Sequence, residues 1–176
     1  MKFHNTPNEE VKLPDGRIIY LSRSAAIVAI ILAKEHDNDN IYVLTEKRSA
    51  IMDEPNKWAA VSGYIDWNES GYEAITREIY EETSFYLPDH KSALVFDNDG
   101  QPFYVHTDPK TDAKQNISLT YIFIYEFIKL PRKIENFKDK EISQIKWMKL
   151  SEVFTGDKKW AFDHDKRIEM AYTKFY

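Results

Sequence analysis

With 176 residues and no cysteine, the chain has the length of one domain and excludes disulfides, thiol catalysis and Cys-ligated zinc. A formal net charge of −5, from 24 Lys and Arg against 29 Asp and Glu, argues against a broad basic surface for duplex nucleic acid. The 43% hydrophobic and 14% aromatic content supplies a core and argues against disorder. No run approaches the roughly 18 apolar residues of a membrane span, and the first residues lack an apolar signal-peptide core, so a cytoplasmic single domain over residues 1–176 is expected.

Residues 11–13 and 17–21 flank the turn triplet Pro14-Asp15-Gly16 and predict a hairpin within residues 1–22. SAAIVAIILA, residues 24–33, is continuously apolar and rich in Ile, as suits a strand buried on both faces. The polar turn EHDNDN leads to a second strand, IYVLTEKR, ending at Arg48. RSAIMDEPNKWAAVSG then runs to Gly63, with Trp58 read as a packing residue.

From Ser70 the pattern changes to a helix. Ser70 with Glu73 makes a capping box, and neither Gly nor Pro interrupts residues 72–83. At about 100° per residue, Glu78, Glu81 and Glu82 fall within a wedge of roughly 100°, beside a packing face of Tyr72, Ile75 and Ile79. Of the acidic side chains in residues 63–85, only Arg77 is an opposing cation. Hard oxygen ligands at this density suit Mg²⁺ or Mn²⁺, which take octahedral oxygen coordination and bridge to phosphates. A solvated acidic face is the alternative.

The spacing resembles the box of the Nudix hydrolase superfamily: Gly63, five residues, Glu69, seven residues, Arg77-Glu78, an aliphatic Ile79, Tyr80, Glu81-Glu82 and Thr83. Ser84 stands where the family has Gly. A left-handed C-terminal residue prefers Gly, so Ser there should cost about 1 kcal/mol without touching a ligand. The resemblance implies an α+β fold, an α/β/α sandwich whose curved mixed sheet lies between the box helix and a C-terminal helix. It also implies metal ligation by the Gly63 carbonyl, Glu78, Glu81 and Glu82, a structural Glu69–Arg77 pair and a homodimer. Glu78, Glu81 and Glu141 are the candidate catalytic bases, Glu141 because it lies six residues before Trp147, a spacing similar to that of an extra glutamate in MutT-type members. Repulsion among the carboxylates should raise at least one of their pKa values.

Beyond Pro88, residues 97–116 read as a long polar connection and residues 118–128 as a long strand. With Arg48, the connection's Phe103, Tyr104 and Lys110 are the candidate substrate contacts, while His106 has no catalytic partner in view. KDKEISQIKWMKLSEVF is similar to the family's late strand and the start of its last helix, and a terminal helix is predicted from about Asp163. The string AFDHD resembles the ending of members that act on nucleoside diphosphate derivatives. The expected substrate is therefore of the ADP-ribose or nucleotide-sugar type, with a nucleoside triphosphate, or sensing without hydrolysis, as alternatives.

Overall fold

The structure, a computed structural model, describes residues 7–110, 114–131 and 140–176. Strands β1 (Glu9–Lys12) and β2 (Ile18–Leu21) form the expected hairpin as a separate two-stranded sheet. The apolar run becomes β3 (Ala25–Glu35), which alternates between two cores: Ile27, Ala29 and Ile31 face one way, Val28, Ile30 and Leu32 the other. A strand with no polar alternation is stable only when both faces are covered.

β3 pairs antiparallel with β4 (Ile41–Arg48) and parallel, along its whole length, with β9 (Ile117–Phe127). β5 (Trp58–Ala59) adds to β4, and β6 (Val61–Tyr64) to β3. β7 (Leu94–Phe96) and β8 (Tyr104–His106) pair with β9, and β10 (Ile142–Lys149) lines the other edge of β4.

Helix α1 (Gly71–Thr83) covers one face through Ala74, Ile75 and Ile79. The other face is covered by α3 (His164–Phe175) through Ile168 and Ala171. Each large aliphatic side chain so buried contributes roughly 1.5–3 kcal/mol. This is the predicted sandwich.

Two expectations change. Residues 97–116 are not one long connection: a single 3₁₀ turn at Asn98–Gly100 and β8 interrupt it, because Phe103 N–H and the β8 backbone find partners on β9. The Arg23 guanidinium donates to the carbonyls of Thr107 and Asn116 at 2.8 Å each and to that of Gln115, stapling both ends of what remains. Second, residues after β10 form a short separate helix, α2 (Leu150–Phe154), rather than the start of the last one. Helix α1 ends at Thr83 with Ser84 as its cap, as expected, and Pro88 lies in the first turn of a separate 3₁₀ helix at Leu87–Ala93. Among the described residues no helix is long and apolar enough to cross a membrane.

Candidate active site

The acidic stretch folds as its local chemistry dictates. Ser70 Oγ accepts from Glu73 N–H at 3.2 Å while Glu73 accepts from Ser70 N–H at 2.8 Å, so two orphan amides of α1 are satisfied reciprocally. At the other end Ser84 sits at φ 56°, its N–H returning to Tyr80 O at 2.8 Å. The left-handed cap is kept with a non-glycine residue, as expected.

Arg77 is the hub. Its guanidinium grips Glu69 through two bonds of 3.0 and 2.7 Å and reaches Glu78 at 2.9 Å, Glu81 at 3.0 Å and the Tyr64 carbonyl at 3.2 Å. Asp66 lies within ion-pair range at 3.7 Å, and its N–H donates to Glu69 at 2.8 Å. The loop between β6 and α1 is thereby tied to the helix through the expected Glu69–Arg77 pair. Hydrogen bonding from Arg77 holds the Glu69 carboxyl below the usual carboxylate range. Glu73 does not depend on Arg77; the capping bond from the Ser70 backbone lowers its pKa instead.

Glu78 and Glu82 take the inner side of the wedge. A Cβ placed on Gly63 would lie 2.2 Å from a Glu78 carboxylate oxygen, so only glycine lets this backbone approach that carboxylate. Glu82 is 5% exposed and accepts from Ser62 N–H at 3.4 Å. Burial pushes Glu78 up, and pushes Glu82 well up, with Glu46 beside it as the next cause. The upward direction was expected, yet its first cause is desolvation rather than repulsion within the box.

Glu46, fully buried on β4, was missed. Its signal in the sequence is a single carboxylate in the strand IYVLTEKR, two residues after Leu44, which faces the α1 core.

The donor set is all hard oxygen, as Mg²⁺ or Mn²⁺ requires, and the glycine approach brings a backbone up to Glu78. Among the described residues, however, no three acidic or histidine side chains already converge in ligating geometry. Arg77 draws Glu78 and the half-exposed Glu81 to itself, while Glu82 turns inward to Ser62. The residues fit the ion chemically, with Glu81 the side chain freest to swing.

The remaining candidates are dispersed. Phe103 packs 5.6 Å from Phe175, is half-buried against the core under α3, and has Lys174 over its ring. An aromatic side chain next to a covered sheet face is drawn onto it by packing. Tyr104 bonds His106 Nδ1 at 3.3 Å and lies under Arg167, which donates to Ser118 and Thr120. Lys110 is exposed in a turn held by Asp108. Arg48 is nearly buried, stacked 5.0 Å from the Phe162 ring, and its Nε donates to Asp53 O at 2.7 Å. Lys114 rather than Lys110 comes back to this corner, pairing with Asp53 at 2.5 Å. Glu141 is exposed at the entry to β10, its carbonyl accepting from Ser49 N–H at 2.7 Å beyond the end of β4.

His164, the first residue of α3, is buried, and its Nδ1 accepts from Ala60 N–H at 3.1 Å. Burial first, then the Arg167 and Arg48 charges, push the imidazole down to about 3 from an ordinary 6.5. The unfolded chain therefore takes up a proton that the native state refuses, so this contribution is full above pH 6.5 and is lost as pH falls towards 3. Melting curves should show a steeper loss between pH 6.5 and 5 for the wild type than for His164→Asn; parallel curves would remove His164 as the cause.

A family model described as NUDIX domain matches residues 22–170. No curated protein is significantly similar in sequence. Among solved structures, the NUDIX domain of Shewanella oneidensis NrtR complexed with ADP ribose is 20% identical with a TM-score of 0.61, covering 88% of this chain and 90% of that one. A MutT/nudix family protein from Enterococcus faecalis is 18% identical with a TM-score of 0.65, covering 89% and 63%. A bifunctional NMN adenylyltransferase/ADP ribose pyrophosphatase from Francisella tularensis, complexed with AMP and a manganese ion, is 18% identical with a TM-score of 0.64, covering 87% and 42%. The chain thus spans less than two thirds of the second and less than half of the third. At these identities the likeness is one of fold.

Proposed function

This chain belongs to the NUDIX domain family, and on that premise we propose that it hydrolyses a phosphoanhydride in a nucleoside diphosphate linked to a second group, of the ADP-ribose or nucleotide-sugar type. The observation that carries the reading is the packing of the Glu78 carboxylate onto Gly63, with Glu82 buried alongside and Arg77 holding the loop between them. Two structural neighbours bound to ADP ribose or to AMP with manganese support the substrate class.

The Gly63 carbonyl, Glu78, Glu81 and Glu82 are the donors that would hold Mg²⁺ or Mn²⁺. When bound, the ion supplies positive charge to the phosphate oxygens and acidifies a coordinated water. Arg77 keeps the loop of residues 64–69 against α1, so that the Gly63 backbone and the helix carboxylates stay in one place. Burial raises Glu78 towards the range in which a carboxylate accepts a proton from an attacking water, with Glu81 and Glu141 as the other candidates. Lys114, near both Tyr64 and Arg48, supplies a cation for the substrate's charge.

The likeness to NrtR, one chain of which is complexed with a 27mer DNA, favours a second reading, a module that senses a nucleotide without cleaving it. One assay separates the two. Turnover of ADP-ribose, other nucleotide sugars and the common nucleoside triphosphates is compared with Mg²⁺, with Mn²⁺ and in excess chelator. We expect metal-dependent hydrolysis, with kcat/KM for a nucleotide sugar about tenfold or more above any triphosphate, near 1.4 kcal/mol of preference. The opposite order sinks the substrate class; ADP-ribose binding with no turnover in either metal sinks the hydrolase and leaves the sensor.

A further inference from the structure

Between β5 and β6 the chain changes partners: Ala59 pairs with Glu46 of β4, whereas Val61 pairs with Ala29 of β3. Ala60 stands at the crossing, fully buried, and its N–H is satisfied by a side chain rather than by a strand. A buried amide left without an acceptor costs roughly 1–3 kcal/mol. The acceptor is His164 Nδ1, 104 positions further along the chain.

The segment before His164 runs beside the same stretch. Trp58 N–H donates to Lys159 O at 2.9 Å, Ala161 N–H donates to Trp58 O at 2.8 Å, and His164 completes the row. Phe162 and Asp163 both adopt φ 54°, a left-handed pair that turns the chain from this row into α3. Two non-glycine residues held there mean that the surrounding contacts over-determine the turn. Immediately beyond Ala60, Ser62 N–H meets Glu82 and the Gly63 backbone meets Glu78.

We propose that His164 is a positioning residue of the active site: by accepting from Ala60 N–H it fixes the path of residues 60–63, and with it the placement of Ser62 on Glu82 and of Gly63 on Glu78. The role requires an unprotonated Nδ1 with the proton on Nε2, the form that burial between Arg48 and Arg167 enforces. It also gives the start of α3 a part in chemistry on the opposite face of the sheet, through one hydrogen bond to the strand between them. The metal-linked part of the role rests on the hydrolase reading above.

The test compares His164→Leu, which has no acceptor, with His164→Asn, whose amide oxygen reaches the Nδ1 position, and with His164→Gln, whose oxygen reaches the Nε2 position instead. Mn²⁺ affinity is read by electron paramagnetic resonance of the free ion, alongside exchange of the Ala60 amide proton. For His164→Leu we expect lost protection at Ala60 and a Kd for Mn²⁺ raised about tenfold, in line with residues that orient metal ligands from behind. His164→Asn should recover both and His164→Gln should not, a comparison that still decides if the Leu variant does not fold. Mn²⁺ affinity that is the same in all three variants and the wild type overturns the positioning role alone. A wild type that binds no Mn²⁺ at all overturns the metal reading and the positioning role together.

Discussion

In saturating Mg²⁺, Glu82→Gln is expected to lose on the order of a thousandfold in kcat, about 4 kcal/mol of transition-state stabilisation. The fold should survive, and more than survive. Glu82 is buried with Glu46 beside it, and desolvation raises its pKa well above the ordinary 4.5. A carboxyl whose folded pKa is raised favours folding below its unfolded value, and that contribution is lost as pH rises through the folded one. Above pH 4.5 the wild type therefore carries a cost that a neutral amide of the same shape lacks, while the Gln oxygen still accepts from Ser62 N–H.

In chelator, the Tm of the variant should equal or exceed that of the wild type, with the gap widening from pH 4.5 upward. Activity and stability move in opposite directions. Full turnover in the variant would remove Glu82 from the site, and a large drop in Tm would show that its carboxylate is structural.

The second large effect is expected from Arg77→Ala, which should lose stability and activity together. Arg77 donates to Glu69, Glu78, Glu81 and the Tyr64 carbonyl. Glu69 and Glu78 are only 16% and 15% exposed at the side chain, so removing the guanidinium leaves two nearly buried carboxylates without a counter-charge. Breaking a fully buried pair costs 3–5 kcal/mol; the guanidinium here is 29% exposed, and screening lowers the expectation to about 2–3 kcal/mol.

For a chain of this length that is a Tm lower by roughly 5–10 °C. Arg77→Lys restores the charge but not the two-pronged grip on Glu69, so it should recover part of the stability and little of the activity. An unchanged Tm in Arg77→Ala would show that the loop is held by other contacts.

Much of this site follows from short-range chemistry. The Ser70 capping box, the left-handed Ser84 and the Glu69–Arg77 pair all relate positions within one helix or its adjoining loop, where a period of 3.6 residues sets which side chains meet. The same rule placed Glu78, Glu81 and Glu82 on one wedge beside the packing face of Ile75 and Ile79. The long apolar run of β3 announced a strand covered twice, and the box spacing carried the family. These features are local, and the chain states them in order.

Contacts between distant residues were decided by the tertiary structure. Glu46 meets Glu82 because β4 turns Glu46 to the face of the sheet on which α1 packs; a two-residue alternation tells which side chains share a face, not which face an acidic helix will cover. Phe103 reads like a loop aromatic until the β8 backbone pairs with β9 and lays it against Phe175. His164 reads like a helix-start residue until α3 docks and its ring fills the one amide left over where the chain crosses from β4 to β3. Burial is a property of the assembled layers, so the upward shift of Glu78 and Glu82 and the downward shift of His164 could arise only once the sheet was covered on both sides.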